Sequence, residues 1–172
     1  AAFFDVFLQP SAGTTTVATG ATLATTSTLN INGGILRGTG TITGNVSNGA
    51  AVNPGTSAGT LTITGNYTQA LGGTLNIELS GPSCNAFDLL SISGSATING
   101  GTLNVSAISP CAPTGLQSFV VMTFVNQTGD FTTINFNGLG LTKTFNTTNL
   151  TLLRFAISRR SIRPSPSRTS DR

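Results

Sequence analysis

Residues 59–79 read "GTLTITGNYTQALGGTLNIEL", and the spacing of their apolar side chains decides the fold. Leu61 and Ile63, then Leu75, Ile77 and Leu79, fall at every second position, separated by Thr, Asn and the single Glu78. A period of two belongs to a strand with one buried face, and short runs of this kind bounded by glycine and asparagine are strands joined by turns.

Outward from this stretch the same writing continues. "STLNINGG", "GTITGNVSNG", "DLLSISGSATING" and "GGTLNVSAIS" repeat the alternation, and Gly-Thr-Leu recurs at Gly59, Gly73 and Gly101, with a looser "GTI" at Gly40. No segment carries helical spacing with caps, so essentially no helix is expected. Self-similarity on this scale belongs to solenoids, in which each unit buries its apolar face on its neighbours. The sequence therefore predicts an all-β chain, a right-handed parallel β-helix of four to six coils. A β-sandwich, whose strands follow one another at similar spacing, is the competing all-β reading.

The expected domains are an N-terminal extended strand over 1–13, acting as a cap or an intersubunit strand, and β-helix coils over 14–118. An antiparallel β cap over 119–157 and a basic Ser/Pro/Arg tail over 158–172 follow. The cap is read from longer, more aromatic runs after Cys111, "SFVVMTFVN", "DFTTINFNG", "LTKTFNTT" and "NLTLLRFAIS". Such an element would cover the hydrogen-bonding edge that an open terminal coil presents.

The residues also carry a family resemblance. "GAAVNPGTSAGTLTITGNYTQALGGTLNIELSG", then "FDLLSISGSATINGGTLNVS" and "FVVMTFVNQTGDFTTINF", resemble the passenger region of bacterial autotransporters and related secreted β-helix proteins over about residues 29–155. In that family an N-P-G-x-S-x-G-T-L phrase precedes x-G-N-Y-x-Q, a G-G-T-L strand and an Asp-Leu-Leu segment. The resemblance implies a parallel β-helix with a C-terminal cap; because the family uses its shaft for many purposes, it implies little about activity. The family's outer-membrane barrel has no counterpart in these residues.

Composition narrows the function classes. Only 8% of residues are charged, against roughly a quarter in ordinary globular domains. Residues 1–157 hold Arg37, Lys143 and Arg154 against Asp5, Glu78, Asp88 and Asp130, while the last fifteen residues hold five arginines against Asp171. An uncharged Thr/Asn body fits an extracellular repeat protein better than a cytosolic enzyme. The chain opens at Ala1 without a methionine or a basic leader and reads as a mature form or fragment. It has no run of the roughly 18 apolar residues that a membrane helix needs.

Cys84 in "GPSCNAFD" and Cys111 in "SPCAPTG" lie in similar turn contexts. They point to a disulfide formed in an oxidising compartment, with two unpaired thiols as the alternative. Two cysteines in a chain without histidine do not make a structural zinc site, so no metal or cofactor is expected. The catalytic candidates are few. Asp88 in "AFDLL" and Asp130 in "TGDF" would need to stand about 5–9.5 Å apart to act as a glycosidase pair; an Asp at a strand start more commonly bonds a turn. Threonine steps (Thr41 and Thr43; Thr60, Thr62 and Thr64; Thr142 and Thr144) raise ice binding as a lesser alternative beside a polysaccharide-active enzyme. Six Asn-x-Ser/Thr sequons, expected by chance in so Thr- and Asn-rich a chain, carry little weight.

The expected function is non-enzymatic: an extracellular β-solenoid subunit of a self-assembling cell-surface fibre, of an adhesion or biofilm type. Subunits would join head to tail by strand addition. The expected interface is the apolar start, Phe3, Phe4, Val6, Phe7 and Leu8, with Arg159, Arg160 and Arg163 of the tail. The alternative is a monomeric adhesin or passenger fragment that binds host or matrix glycans. The partner is the chain itself, with surface polysaccharide as a further candidate; nucleic acid and a membrane span are not expected.

Overall fold

A computed structural model describes residues 2–3 and 12–155. Among these residues there is no helix. Apart from a terminal hairpin, the chain winds as a parallel β-solenoid in which each coil gives one strand to each of three sheets.

The first coil is β2 (Thr14–Val17), β3 (Thr22–Ala24) and β4 (Leu29–Ile31), and the second is β5 (Ile35–Gly38), β6 (Thr41–Thr43) and β7 (Val46–Asn48). The third is β8 (Ala51–Pro54), β9 (Thr60–Thr64) and β10 (Tyr67–Gln69). The fourth is β11 (Thr74–Leu79), β12 (Leu89–Ile92) and β13 (Ser95–Ile98), and the fifth is β14 (Thr102–Ala107), β15 (Gln117–Thr123) and β16 (Asn126–Gly129). A sixth coil begins with β17 (Thr133–Asn135). The first strand of each coil enters a six-stranded sheet, the second an eight-stranded sheet and the third a five-stranded sheet. Parallel pairing of this kind rules out the antiparallel sandwich.

Alternation along each strand becomes stacking between coils. Leu36 pairs with Val52, Val52 with Leu75 and Leu75 with Leu103, all four fully buried. In the eight-stranded sheet Ile42, Ile63 and Ile92 form the equivalent column. Every such side chain removes apolar surface from water against the coils on either side of it, the dominant favourable term in folding. The five-stranded sheet carries a polar exception inside the tube. Asn48 Nδ2 shares its two N–H groups among Tyr67 Oη at 3.1 Å, Gln69 Oε1 at 3.0 Å and the Thr74 carbonyl at 3.0 Å, and Tyr67 Oη donates to Gln69 Oε1. Burial pushes the Tyr67 hydroxyl well above its ordinary pKa, so it stays protonated and remains a donor.

Glycine sets one corner of the tube. Gly44, Gly65 and Gly94 follow β6, β9 and β12, and a Cβ on Gly65 or Gly94 would run into the carbonyl oxygen of the glycine one coil below. The neighbouring asparagines bind these turns together. Asn45 Oδ1 accepts from Asn66 N and Asn66 Oδ1 accepts from Ser95 N, each at 2.9 Å. The repeated "TGN" of the sequence is this corner.

At the far end β18 (Leu141–Phe145) and β19 (Asn149–Arg154) form an antiparallel hairpin, and β19 pairs antiparallel with β15. Within the 119–157 span read from the sequence, antiparallel pairing joins β15, β19 and β18, while β16 and β17 between them pair in parallel. β15 has a parallel neighbour in β12 as well as its antiparallel one in β19, and Asn126–Gly129 and Thr133–Asn135 continue the parallel ladders of β13 and β14. Their aromatic content has a packing cause: Phe119, Phe124 and Phe131 are buried where the tube closes. Phe145 stacks on Phe131 at 6.3 Å, and Lys143 lies 4.6 Å above the Phe145 ring while pairing with Asp130.

At the opposite end β1 (Ala2–Phe3) runs parallel to Thr22–Ala24 and extends the eight-stranded sheet by one strand. Phe4, Val6, Phe7, Leu8, Arg159, Arg160 and Arg163 lie outside the described residues.

Candidate functional site

The outer face of the six-stranded sheet holds a groove of about 450 Å³. Its floor is made by side chains at the outward positions of consecutive coils. Arg37 of β5 is in register with Asn53 of β8, and Asn76 of β11 with Asn104 of β14. The asparagines form a ladder: Asn76 Nδ2 donates to Asn53 Oδ1 at 2.7 Å, Asn104 Nδ2 to Asn76 Oδ1 at 2.9 Å, and Asn137 Nδ2 to Asn104 Oδ1 at 3.1 Å. Two positions further along their strands, Glu78 and Ser106 form a second rank in the same groove.

One wall is the turn after β8, Gly55 to Ala58. Ser57 and Ala58 both have positive φ, 99° and 67°, a backbone conformation that costs non-glycine residues on the order of 1–2 kcal/mol each. Asp88 holds this turn. Its Oδ1 accepts from Gly59 N at 3.0 Å and its Oδ2 from Glu78 N at 2.8 Å, while Asp88 N donates to the Glu78 carbonyl at 2.9 Å. The residue is only 2% exposed, and burial pushes its pKa up to about 7 against the two backbone donors, with the Glu78 charge adding to the rise. With both oxygens committed to backbone N–H groups, Asp88 acts as the pin of the turn.

The structure does not bring Asp88 and Asp130 together. Asp88 precedes β12 at the corner between the six- and eight-stranded sheets, whereas Asp130 lies between β16 and β17 at another corner and pairs with Lys143. Cys84 and Cys111 do meet. They form a disulfide with Cα atoms 6.0 Å apart, joining the loop after β11 to the loop after β14. The threonine steps stack as well, Thr41 on Thr62 and Thr43 on Thr64, but Ser91 follows Thr62 in the next coil. The double threonine rank is therefore two coils deep.

The groove itself is the feature that sequence reading misses. A signal for it exists in "AVNP", "TLNIEL" and "TLNVSA", where an asparagine follows the first buried apolar residue of β8, β11 and β14 in turn. No model of a known protein family matches the chain, and no curated protein matches it. The groove has to be read on its own chemistry.

Proposed function

We propose that this chain is a non-enzymatic, extracellular structural protein, a right-handed β-solenoid subunit of a self-assembling cell-surface fibre. The observation that carries the reading is the coil-on-coil construction. Within one chain, successive coils bind each other through parallel backbone ladders and apolar columns, and the first coil of a second copy offers the same construction. Edge strands are templates for further pairing. β1 (Ala2–Phe3) is the outermost strand at one end of the eight-stranded sheet and so offers such an edge, and head-to-tail addition there does not close on itself.

Other features point the same way. The disulfide suits an oxidising compartment, and no helix among the described residues is long and apolar enough to cross a membrane. The two acids that composition offered for catalysis are separately engaged, Asp88 with backbone and Asp130 with Lys143. Right-handed winding follows from the strong preference of parallel crossover connections. The phrase-level likeness to autotransporter passengers supports a surface location.

Negative-stain electron microscopy of the full chain and of a chain lacking residues 1–9 tests the assembly. Filaments should form from the first and disappear in the second. Equal polymer from both would remove the N-terminal segment from the interface.

A further inference from the structure

Three observations in the groove point to a ligand. First, Arg37 and Glu78 face the same cavity without pairing with each other. Arg37 Nε donates to Thr16 Oγ1 at 3.2 Å; the terminal guanidinium nitrogens and the Glu78 carboxylate have no hydrogen-bond partner among the described residues. Second, the ladder leaves capacity over. Each ladder bond uses one amide N–H, so Asn76 and Asn104 keep a second N–H apiece, and every amide oxygen keeps a lone pair. Third, this spare capacity repeats once per coil, at the interstrand spacing of about 4.8 Å along the axis.

The lining also limits what can bind. The cavity volume lies within the roughly 300–1,000 Å³ of small-molecule sites, but such sites are mostly apolar, and this one offers amides, a guanidinium, a carboxylate and hydroxyls. An apolar ligand would leave those groups desolvated and unpaired, at about 1–3 kcal/mol each. A polyanion would meet Glu78, and a polycation would meet Arg37. Hydroxyl groups donate and accept together and match all four kinds of partner.

We infer that the groove binds a neutral, linear, hydroxyl-rich glycan lying along the asparagine ladder, with Arg37 donating to it and Glu78 accepting from it. The site is lateral to the coil ends. A result here therefore stands apart from the filament test.

The experiment is isothermal titration of the full chain with neutral β-1,4-glucan, β-1,3-glucan and β-1,4-mannan tetra- to hexasaccharides, beside tetragalacturonate and chitosan tetramer. At least one neutral series should bind saturably and more tightly than the charged oligomers. Arg37→Ala and Glu78→Gln should each weaken it about tenfold or more, while Thr97→Ala, on the outer face of the five-stranded sheet, leaves it unchanged. Glu78→Gln keeps the size of the side chain, and unchanged thermal melting of each variant separates lost binding from lost fold. Absence of saturable binding across the neutral series, preference for either charged oligomer, or equal binding by the groove variants and Thr97→Ala would each overturn the assignment.

Discussion

Asp88 ties two coils together through a single side chain. Its two oxygens take the backbone N–H of Gly59 in one coil and of Glu78 in the next, so one carboxyl fixes both a strained turn and the step between coils. Removing it in Asp88→Ala orphans two N–H groups and should cost roughly 2–6 kcal/mol, at about 1–3 for each unsatisfied donor, measured by urea unfolding near pH 5. The pH dependence has a definite sign. The native pKa of about 7 lies above the unfolded carboxyl value of about 3.9, so the folded state holds the proton longer. Stability from this group is complete below about pH 4 and is lost as the pH rises through 7, by on the order of 4 kcal/mol at most. Asp88→Asn has no such proton, and its urea midpoints between pH 4 and 8 should lack that fall. Parallel curves for the two proteins would place the pH dependence elsewhere. The sequence shows this residue as an Asp at a strand start and hence as a turn-bonding side chain. That its partners come from two other segments depends on pairing between coils, which no local pattern encodes.

Among the elements, those with both signals, alternation and bounding glycine, are legible: β9, β11 and β14 lie where "TLTIT", "TLNIEL" and "TLNVSA" place them. Pairing direction is not legible, because a buried face alternates in the same way whether its neighbour runs parallel or antiparallel. For this reason β17 looks like a hairpin strand in the sequence and is a solenoid strand in the structure, while β15 has an antiparallel neighbour on one side and a parallel one on the other. Register is hidden too. The stacked residues Thr14, Ile35, Ala51, Thr74, Thr102 and Thr133 are unequally spaced along the chain, so no fixed repeat length aligns the asparagines of the groove. The glycine corner gives a prediction at this scale. Gly65→Ala puts a methyl into the Gly44 carbonyl and should destabilise by roughly 1–3 kcal/mol, the usual cost of overpacking. Gly72→Ala, whose added carbon stops 3.4 Å from the Gly49 carbonyl, should stay within about 0.5 kcal/mol of wild type, as an unremarkable surface change does. Thermal melts followed by circular dichroism distinguish the two, and equal melting points would show that the coils adjust at the corner.

For the whole molecule, the solenoid separates its ends, which the assembly proposal uses, from its sides, which the glycan proposal uses. The disulfide bears on the molecule in a further way, through force. Strands lie across the solenoid axis, so tension on the two ends of the chain opens the ladders one coil after another. The Cys84–Cys111 bond encloses a separation of 27 residues, and those residues cannot lengthen while it is intact. At about 3.3–3.6 Å per extended residue, roughly 90 Å of contour is locked away. Single-molecule stretching should release that much more length from the reduced protein than from the oxidised one; equal extensions would mean the bond is absent from the pulled chain. A fibre made of such subunits would carry in each a built-in limit on how far it can be drawn out, set by the redox state of its surroundings.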